Sequence, residues 1–275
     1  MESDADPRQL LRRFGLRPKK SLGQNFMVGR RAIEQVLEAA ELTPADVVLE
    51  IGAGLGTLTA RLAERASQVV AVELDARMVE VLEQTLGEHP NLQLVAGDIL
   101  EIDPASLFAS PYKVVANIPY YITSAILRHL LEAAVRPTVI VLTTQKEVAQ
   151  RIVARERLSL LAVSVQCYGR PRVVAHVPRG AFYPPPKVDS AVLRIDVYPA
   201  PAVPPADLDA FFRVVKAGFS APRKQLRNAL AHDLGRPAGE IAARLEAAGI
   251  DPRRRAETLS LEEWARLSRT LSASP

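Results

Sequence analysis

Four short segments carry residue types that can hold a nucleoside and act on an amine. Glu50-Ile51-Gly52-Ala53-Gly54-Leu55-Gly56-Thr57 places three glycines within five positions directly after an apolar run. Glycine lets a backbone turn tightly and lets a ligand approach it closely, and a helix beginning there presents free N–H groups. Glu73 ends the next apolar run, 17 residues beyond Gly56, where a carboxylate can accept from both hydroxyls of a ribose. Asp98 follows the third run in Gly97-Asp98-Ile99. Its carboxylate can accept from an adenine amino group while Ile99 packs on the ring. A dinucleotide fingerprint wants glycine or alanine at position 57, and Thr57 stands there. That argues against a nicotinamide cofactor.

The fourth segment is Asn117-Ile118-Pro119-Tyr120-Tyr121. An exocyclic amine on adenine is a poor nucleophile because its lone pair is delocalised into the ring. Two acceptors that hold its N–H groups favour a pyramidal nitrogen. The Asn117 side-chain oxygen supplies one, and the peptide carbonyl of Ile118 or Pro119 the other, with proline's fixed φ helping to aim it. Tyr120 is placed to stack on an unpaired base, which must leave its own stack to arrive there. Here the chain resembles the amino-methyltransferases, which carry an N/D-P-P-Y/F or N-I/L-P-Y/F motif at this place. S-adenosylmethionine is the cofactor that this resemblance, the glycine loop, Glu73 and Asp98 jointly imply.

Strands must carry these segments, because ligand-binding residues of open α/β sheets gather at strand ends. Short apolar runs at 45–51, 68–74, 91–98, 112–118 and 138–144 read as strands. They alternate with helical spacing at 29–42, 56–66, 76–86, about 123–134 and about 145–155. The expected fold class is α/β: a doubly wound, Rossmann-like methyltransferase sheet with an antiparallel edge strand. LLAVSVQCY (160–168) and SAVLRIDVY (190–198) read as two strands forming that edge. The Pro/Ala-rich stretch 198–207 reads as a linker. Four helical patterns follow it and form a small C-terminal all-α domain. In the last of these, Ser260 and Glu263 have the spacing of a capping box.

Composition narrows the function classes. Cys167 is the single cysteine of 275 residues, which excludes an intrachain disulfide and fits a cytoplasmic location. The four histidines are scattered, so no metal is expected. The N-terminus lacks the apolar stretch of a signal peptide, and no run reaches the roughly 20 residues of a membrane span. Residues 1–150 hold 15 Lys/Arg against 19 Asp/Glu, whereas residues 151–275 hold 20 against 12. Arg8, Arg12, Arg13, Arg17, Lys19 and Lys20 form a further basic arm inside the acidic half. Basic segments at both ends point to a polyanionic partner.

The whole chain, roughly 17–271, resembles the KsgA-type ribosomal RNA adenine dimethyltransferases. The resemblance rests on KKSLGQNF (19–26), EIGAGLGTLT, VELD, GDI, NIPYYITSAIL, QKEVAQRI, AFYPPPKVDSAVLRI (181–195), RKQLRNAL and RRAETLSLEEWARL. It implies an arm over 1–26 that folds on the cofactor, a methyltransferase domain over 27–200 and a helical RNA-binding domain over 206–275. Asn25, Met27, Gly52, Gly54, Glu73, Asp98, Ile99 and Asn117 would then contact S-adenosylmethionine. Asn117, Pro119 and Tyr120 would form the transfer centre, and Phe182 would sandwich the target adenine opposite Tyr120. Arg223, Lys224 and Arg227 would meet RNA. The implied reaction is dimethylation of two adjacent adenines in the 3′-terminal hairpin of 16S rRNA within the 30S subunit, by a monomer acting in ribosome biogenesis. Met27 stands where leucine is usual, Ala53 replaces a common proline, an insertion before residue 160 is missing, and Pro222 occupies an often basic position. Two rival readings are a macrolide-resistance type acting on 23S rRNA and a non-catalytic RNA-binding assembly factor.

Overall fold

A computed structural model describes residues 6–272; residues 1–5 of the expected arm and 273–275 of the expected C-terminal domain lie outside it. In chain order the elements begin with α1 (Pro7–Arg13), β1 (Phe26–Met27), α2 (Arg30–Ala40), β2 (Val47–Ile51), α3 (Thr57–Ala63) and β3 (Gln68–Glu73). Next come α4 (Ala76–Leu86), β4 (Leu92–Ala96), α5 (Pro104–Leu107), β5 (Lys113–Asn117), α6 (Thr123–Glu132), β6 (Val139–Gln145) and α7 (Lys146–Val153). The chain closes with α8 (Leu160–Tyr168), β7 (Gly169–Val177), β8 (Phe182–Tyr183), β9 (Ser190–Val197), α9 (Leu208–Phe219), α10 (Leu226–Leu234), α11 (Ala238–Ala247) and α12 (Leu261–Ser272).

Seven strands form one sheet in the order β4-β3-β2-β5-β6-β9-β7. The pairs from β4 to β6 are parallel, and β9 runs antiparallel to β6, with Gln145 opposite Ser190. The central strands read as unbroken apolar runs because helices cover both faces of a parallel sheet. Val36, Leu37 and Ala40 of α2 pack with Leu58, Leu62, Val115, Val141 and Val192 in one core cluster. The reversal after the linear βα alternation puts the C-terminal ends of β2, β3, β5 and β6 and the N-terminal end of β9 on the same edge.

Three elements differ from the sequence expectation. The run 160–168 is α8, not a strand: the Ser159 hydroxyl accepts from the Ala162 N–H and caps it. A nine-residue run that is apolar but for Ser164 and Gln166 is too short for its period to tell a buried helix from a buried strand. The outer edge strand is instead β7, GRPRVVAHV, whose alternating exposed and half-buried residues mark an edge. The expected arm also holds a helix, α1, whose Leu10 and Leu11 join Phe26, Leu55, Met78 and Val81 in a second apolar cluster.

By compactness the chain forms two units, residues 6–149 with 171–197 and residues 150–170 with 198–272. Residues 150–170, placed in the methyltransferase domain by sequence, thus group with the C-terminal helices. In that second unit the buried Trp264 of α12 packs on Phe219, and Tyr168 of α8 stacks on Phe212 of α9. The Ser260–Glu263 capping box forms reciprocally: Ser260 N–H donates to Glu263 and Glu263 N–H to the Ser260 hydroxyl, at 2.8 and 3.2 Å. Arg254 adds two bonds to the Glu263 carboxylate. Gly218 lies against the Trp264 ring so closely that a Cβ there would stand 2.4 Å from it. Gly218→Ala is therefore expected to destabilise the protein by about 1–3 kcal/mol, the usual cost of overpacking a core. Urea denaturation checks this, and an unchanged midpoint would show that the indole moves aside freely.

Candidate functional site

The glycine loop leaves β2 through three left-handed glycines, Gly52, Gly54 and Gly56, with φ of 74°, 58° and 81°. Only glycine takes such angles without a Cβ penalty. Packing adds a second demand. A Cβ on Gly54 would approach the Phe26 ring to 3.1 Å, and one on Gly56 would meet Leu86 at 2.6 Å.

Glu73, 8% exposed at the end of β3, braces this loop. One carboxylate oxygen accepts from the Gly54 N–H and the other from the Asp75 N–H, both at 2.8 Å. Burial raises its pKa and these N–H groups counter the shift. Asp98 accepts from the Leu100 N–H at 2.9 Å and so caps the turn that carries the buried Ile99.

The arm crosses above these strand ends and is tied at two points. Asp75, its side chain 2% exposed, accepts from Arg77, Gln24 and Lys19. Its bond from Arg77 is the largest of the effects that hold its carboxyl well below the usual carboxylate range. Asn117 Nδ2 donates to the Asn25 carbonyl at 3.1 Å, while Asn25 Nδ2 donates to the Gly23 carbonyl. Gly23 is itself left-handed, and a Cβ there would lie 3.1 Å from Pro119 and 3.3 Å from Tyr121. With its amide nitrogen committed to the arm, Asn117 turns its Oδ1 the other way. The Tyr120 hydroxyl meets the buried Ser190 hydroxyl at 2.6 Å, and burial raises its pKa.

These groups surround one cleft of about 1120 Å³, mouth included. Asn25, Met27, Gly52, Gly54, Glu73, Asp98, Ile99, Asn117, Pro119 and Tyr120, all singled out by sequence, line it. Gln24, Phe26, Glu50, Thr57 and Tyr121 also line it and were given no role by sequence. Tyr121 is 67% exposed, and Glu50 was legible only as the first residue of the glycine motif. Among the described residues the lining holds the acids Glu50, Glu73 and Asp98 and no Lys, Arg or His. Such a pocket suits a neutral or positively charged nucleoside and opposes a phosphorylated one.

Phe182, expected opposite Tyr120, is not among the residues that line the cleft. It is 2% exposed, pairs with Met27 across the two-stranded β1–β8 ribbon and belongs to the apolar core. An aromatic next to a run of prolines is read equally well as a stacking platform or as a core residue, and burial decides. Arg223 and Lys224, between α9 and α10, and Arg227, in the first turn of α10, are exposed in the second unit. No cluster of possible metal ligands and no helix long and apolar enough to cross a membrane occurs among the described residues.

Comparison with known proteins follows the same lines. The family described as ribosomal RNA adenine dimethylase matches residues 15–273. The chain is 44% identical over 274 residues to ribosomal RNA small subunit methyltransferase A of Dehalococcoides mccartyi, covering 98% of this chain and 94% of that one. To the protein of the same name from Moorella thermoacetica it is 47% identical, with 98% and 99% covered. Among solved structures, the 23S rRNA methyltransferase ErmE superposes with a TM-score of 0.72 at 34% identity, covering 90% of this chain and 100% of that one. A dimethyladenosine transferase from Plasmodium falciparum shares the fold with a TM-score of 0.73 at 24% identity, covering 88% and 95%.

Two expected outcomes come from this geometry. Asp75→Ala removes the acceptor for Lys19, Gln24 and Arg77. It should lower stability by about 1–3 kcal/mol, as loss of a buried charged acceptor does, and speed tryptic cleavage at Lys19 or Lys20 several-fold. An arm as resistant as the wild type's would show that its other contacts hold it without Asp75. Glu50 is 1% exposed, and burial pushes its carboxyl from 4.5 up to about 8, with a part returned by Thr59 and more added by the charge of Glu73. Between about pH 5 and 8 the folded protein keeps a proton that the unfolded chain has lost. Stability should therefore fall as pH rises, by up to about 1.4 kcal/mol per unit, and level off above about 8. Glu50→Gln removes that component, so urea titrations at pH 5.5, 7 and 8.5 should show the variant gaining on the wild type. A constant gap would mean that Glu50 titrates as an ordinary acid.

Proposed function

The chain belongs to the ribosomal RNA adenine dimethylase family, and on that footing we propose that it dimethylates the N6 amines of two adjacent adenines in the 3′-terminal hairpin of 16S rRNA in the 30S subunit. S-adenosylmethionine supplies the activated methyl group on a sulfonium. The residues present fit that cofactor: Glu73 and Asp98 offer acceptors for a ribose and an adenine amine, and a lining with acids but no bases favours a positive ligand.

The observation that carries the reading is the Asn117 amide. Its nitrogen is locked onto the Asn25 carbonyl, so its oxygen is held ready to accept an N–H of the target amine. The Pro119 carbonyl already accepts from the Ile122 N–H at 3.2 Å, which makes the Ile118 carbonyl the freer second acceptor. Two acceptors draw both N–H groups out of the ring plane and localise the nitrogen lone pair for attack. The same two sites, with one N–H replaced by methyl, still hold the monomethylated amine for a second transfer. Tyr120, steadied by Ser190, forms the face on which the extruded base stacks. Arg223, Lys224 and Arg227 give the second unit a basic surface for the RNA backbone. Identities of 44–47% along nearly the whole chain to small-subunit enzymes, against 34% to ErmE, support the small subunit as the acceptor. A cytoplasmic, monomeric enzyme acting in ribosome assembly fits this substrate.

Incubation of the protein with labelled cofactor and either unmethylated 30S or 50S subunits, followed by mass mapping of the rRNA, tests this. Two methyls on each of two neighbouring adenines of the 16S 3′ hairpin are expected. Asn117→Ala should reduce transfer by about 100-fold or more while RNA binding persists. Methylation of 50S and never of 30S particles would overturn the proposal.

A further inference from the structure

Glu50 lines the cofactor cleft at the start of the glycine loop, yet none of the roles assigned above uses it. It sits in β2 between Ala71 of β3 and Val115 of β5, neither of which can compensate a charge. Its Oε2 has no hydrogen-bond partner, nor does the fully buried Thr59 hydroxyl of α3. Thr59 is near enough to ease the carboxyl's burial but forms no bond of normal geometry with it. This contrasts with Glu73, whose two oxygens each receive a backbone N–H. One acid of the pair is provided for as a carboxylate, and the other is not.

The surroundings supply no positive charge. Glu73 from β3 is the one charge that acts on Glu50. Asp98 after β4 and Tyr120 and Tyr121 after β5 complete the ionisable lining. The remaining polar side chains are the amides of Gln24 and Asn25 from the arm and Asn117 from β5, with Thr57 from α3. A buried acid beside another acid and without donors keeps its proton. It loses it when a positive charge enters the same low-dielectric space.

Resting on the reading of the cleft as a site for S-adenosylmethionine, we propose that Glu50 is a proton-exchanging counter-charge: protonated in the free pocket, ionised while a sulfonium ligand is bound, and protonated again once the ligand has become a thioether. Methyl transfer breaks a C–S bond, whose electron pair stays on sulfur, forms an N–C bond and releases a proton from the amine. The product left behind, S-adenosylhomocysteine, is one positive charge poorer. With the sulfonium charge gone, Glu50 takes a proton from solvent. The pocket thereby favours cofactor over product by charge, although the two differ by a single methyl group. The preference strengthens with pH until Glu50 ionises without any ligand.

Isothermal titration calorimetry in buffers of different ionisation enthalpy at pH 7 counts the protons exchanged. The ligands are S-adenosylmethionine, S-adenosylhomocysteine and sinefungin, whose amine carries a positive charge where the sulfonium stands. All three share the amino-acid end, so its contribution largely cancels between them. Wild-type protein should release close to one more proton with S-adenosylmethionine and sinefungin than with S-adenosylhomocysteine. Its preference for the cofactor over the product should rise by up to tenfold per pH unit between pH 6 and 7.5. Glu50→Gln mimics the protonated acid and should melt like the wild type at pH 6; in it both differences should vanish. Equal proton counts for the three ligands in the wild type, or an unchanged difference in Glu50→Gln, would overturn the proposal. Binding of none of the three would instead overturn the cofactor reading beneath it.

Discussion

One hydrogen bond, from Asn117 Nδ2 to the Asn25 carbonyl, decides how the cleft works. An amide side chain has a donor end and an acceptor end, and either can face the ligand. Binding the donor end to the arm removes that freedom. The acceptor left facing the cleft is what an amine substrate requires, whereas a reversed amide would repel it. The same bond closes the arm over the glycine loop, where Phe26 lies against Gly54. In the proposed reaction, orientation of the Asn117 acceptor and closure of the arm over the cleft are thus one event. An enzyme with its arm open would have neither, which is why Asp75 gathers Lys19, Gln24 and Arg77 at the arm's other attachment.

The charge pattern of the cleft has the same economy. Three acids and no bases would be unstable if all were ionised together in a half-closed space. The fold resolves this by unequal provision. Glu73 receives two backbone N–H groups, Asp98 receives one and is partly open to solvent, and Glu50 receives none. Burial raises the pKa of both glutamates, but Glu73 keeps two donors for its charged form, whereas Glu50, buried without one, is pushed up to about 8. One of the two N–H groups that Glu73 receives comes from Gly54, in the loop whose glycines permit left-handed turns.

Sequence patterns made much of this legible, and the reasons differ by feature. The five parallel strands are visible because each is an apolar run closed by a polar or glycine residue, and the site residues are visible because they occupy those closures. The capping box at Ser260 is legible because its two bonds are local. Three features escaped. The helix over 160–168 is short and apolar but for Ser164 and Gln166, so periodicity cannot distinguish it from a strand. β7 alternates polar and apolar residues weakly, as an edge strand does, and begins with Gly-Arg-Pro. Glu50 looks like any motif residue until burial and missing donors are seen, since the sequence does not record which acid receives an N–H.

Phe182 shows how topology reassigns a motif. Because β9 runs antiparallel to β6, the segment leading into it, 182–189, passes along the edge where the parallel strands end. That position suits an aromatic for stacking on a base, as the motif suggests. The structure uses the segment as a brace instead. Phe182 and Tyr183 pair with Met27 and Phe26 and hold the arm from below, and Phe182 is sealed in the core. Ser190, the first residue of β9, reaches across to the Tyr120 hydroxyl. An all-parallel sheet would place only a further strand end there, with no returning segment to bind the arm and the tyrosine together. The reversed strand is therefore what joins three separate motifs, the arm, the Asn-Ile-Pro-Tyr turn and the proline segment, into one rigid rim around the cleft.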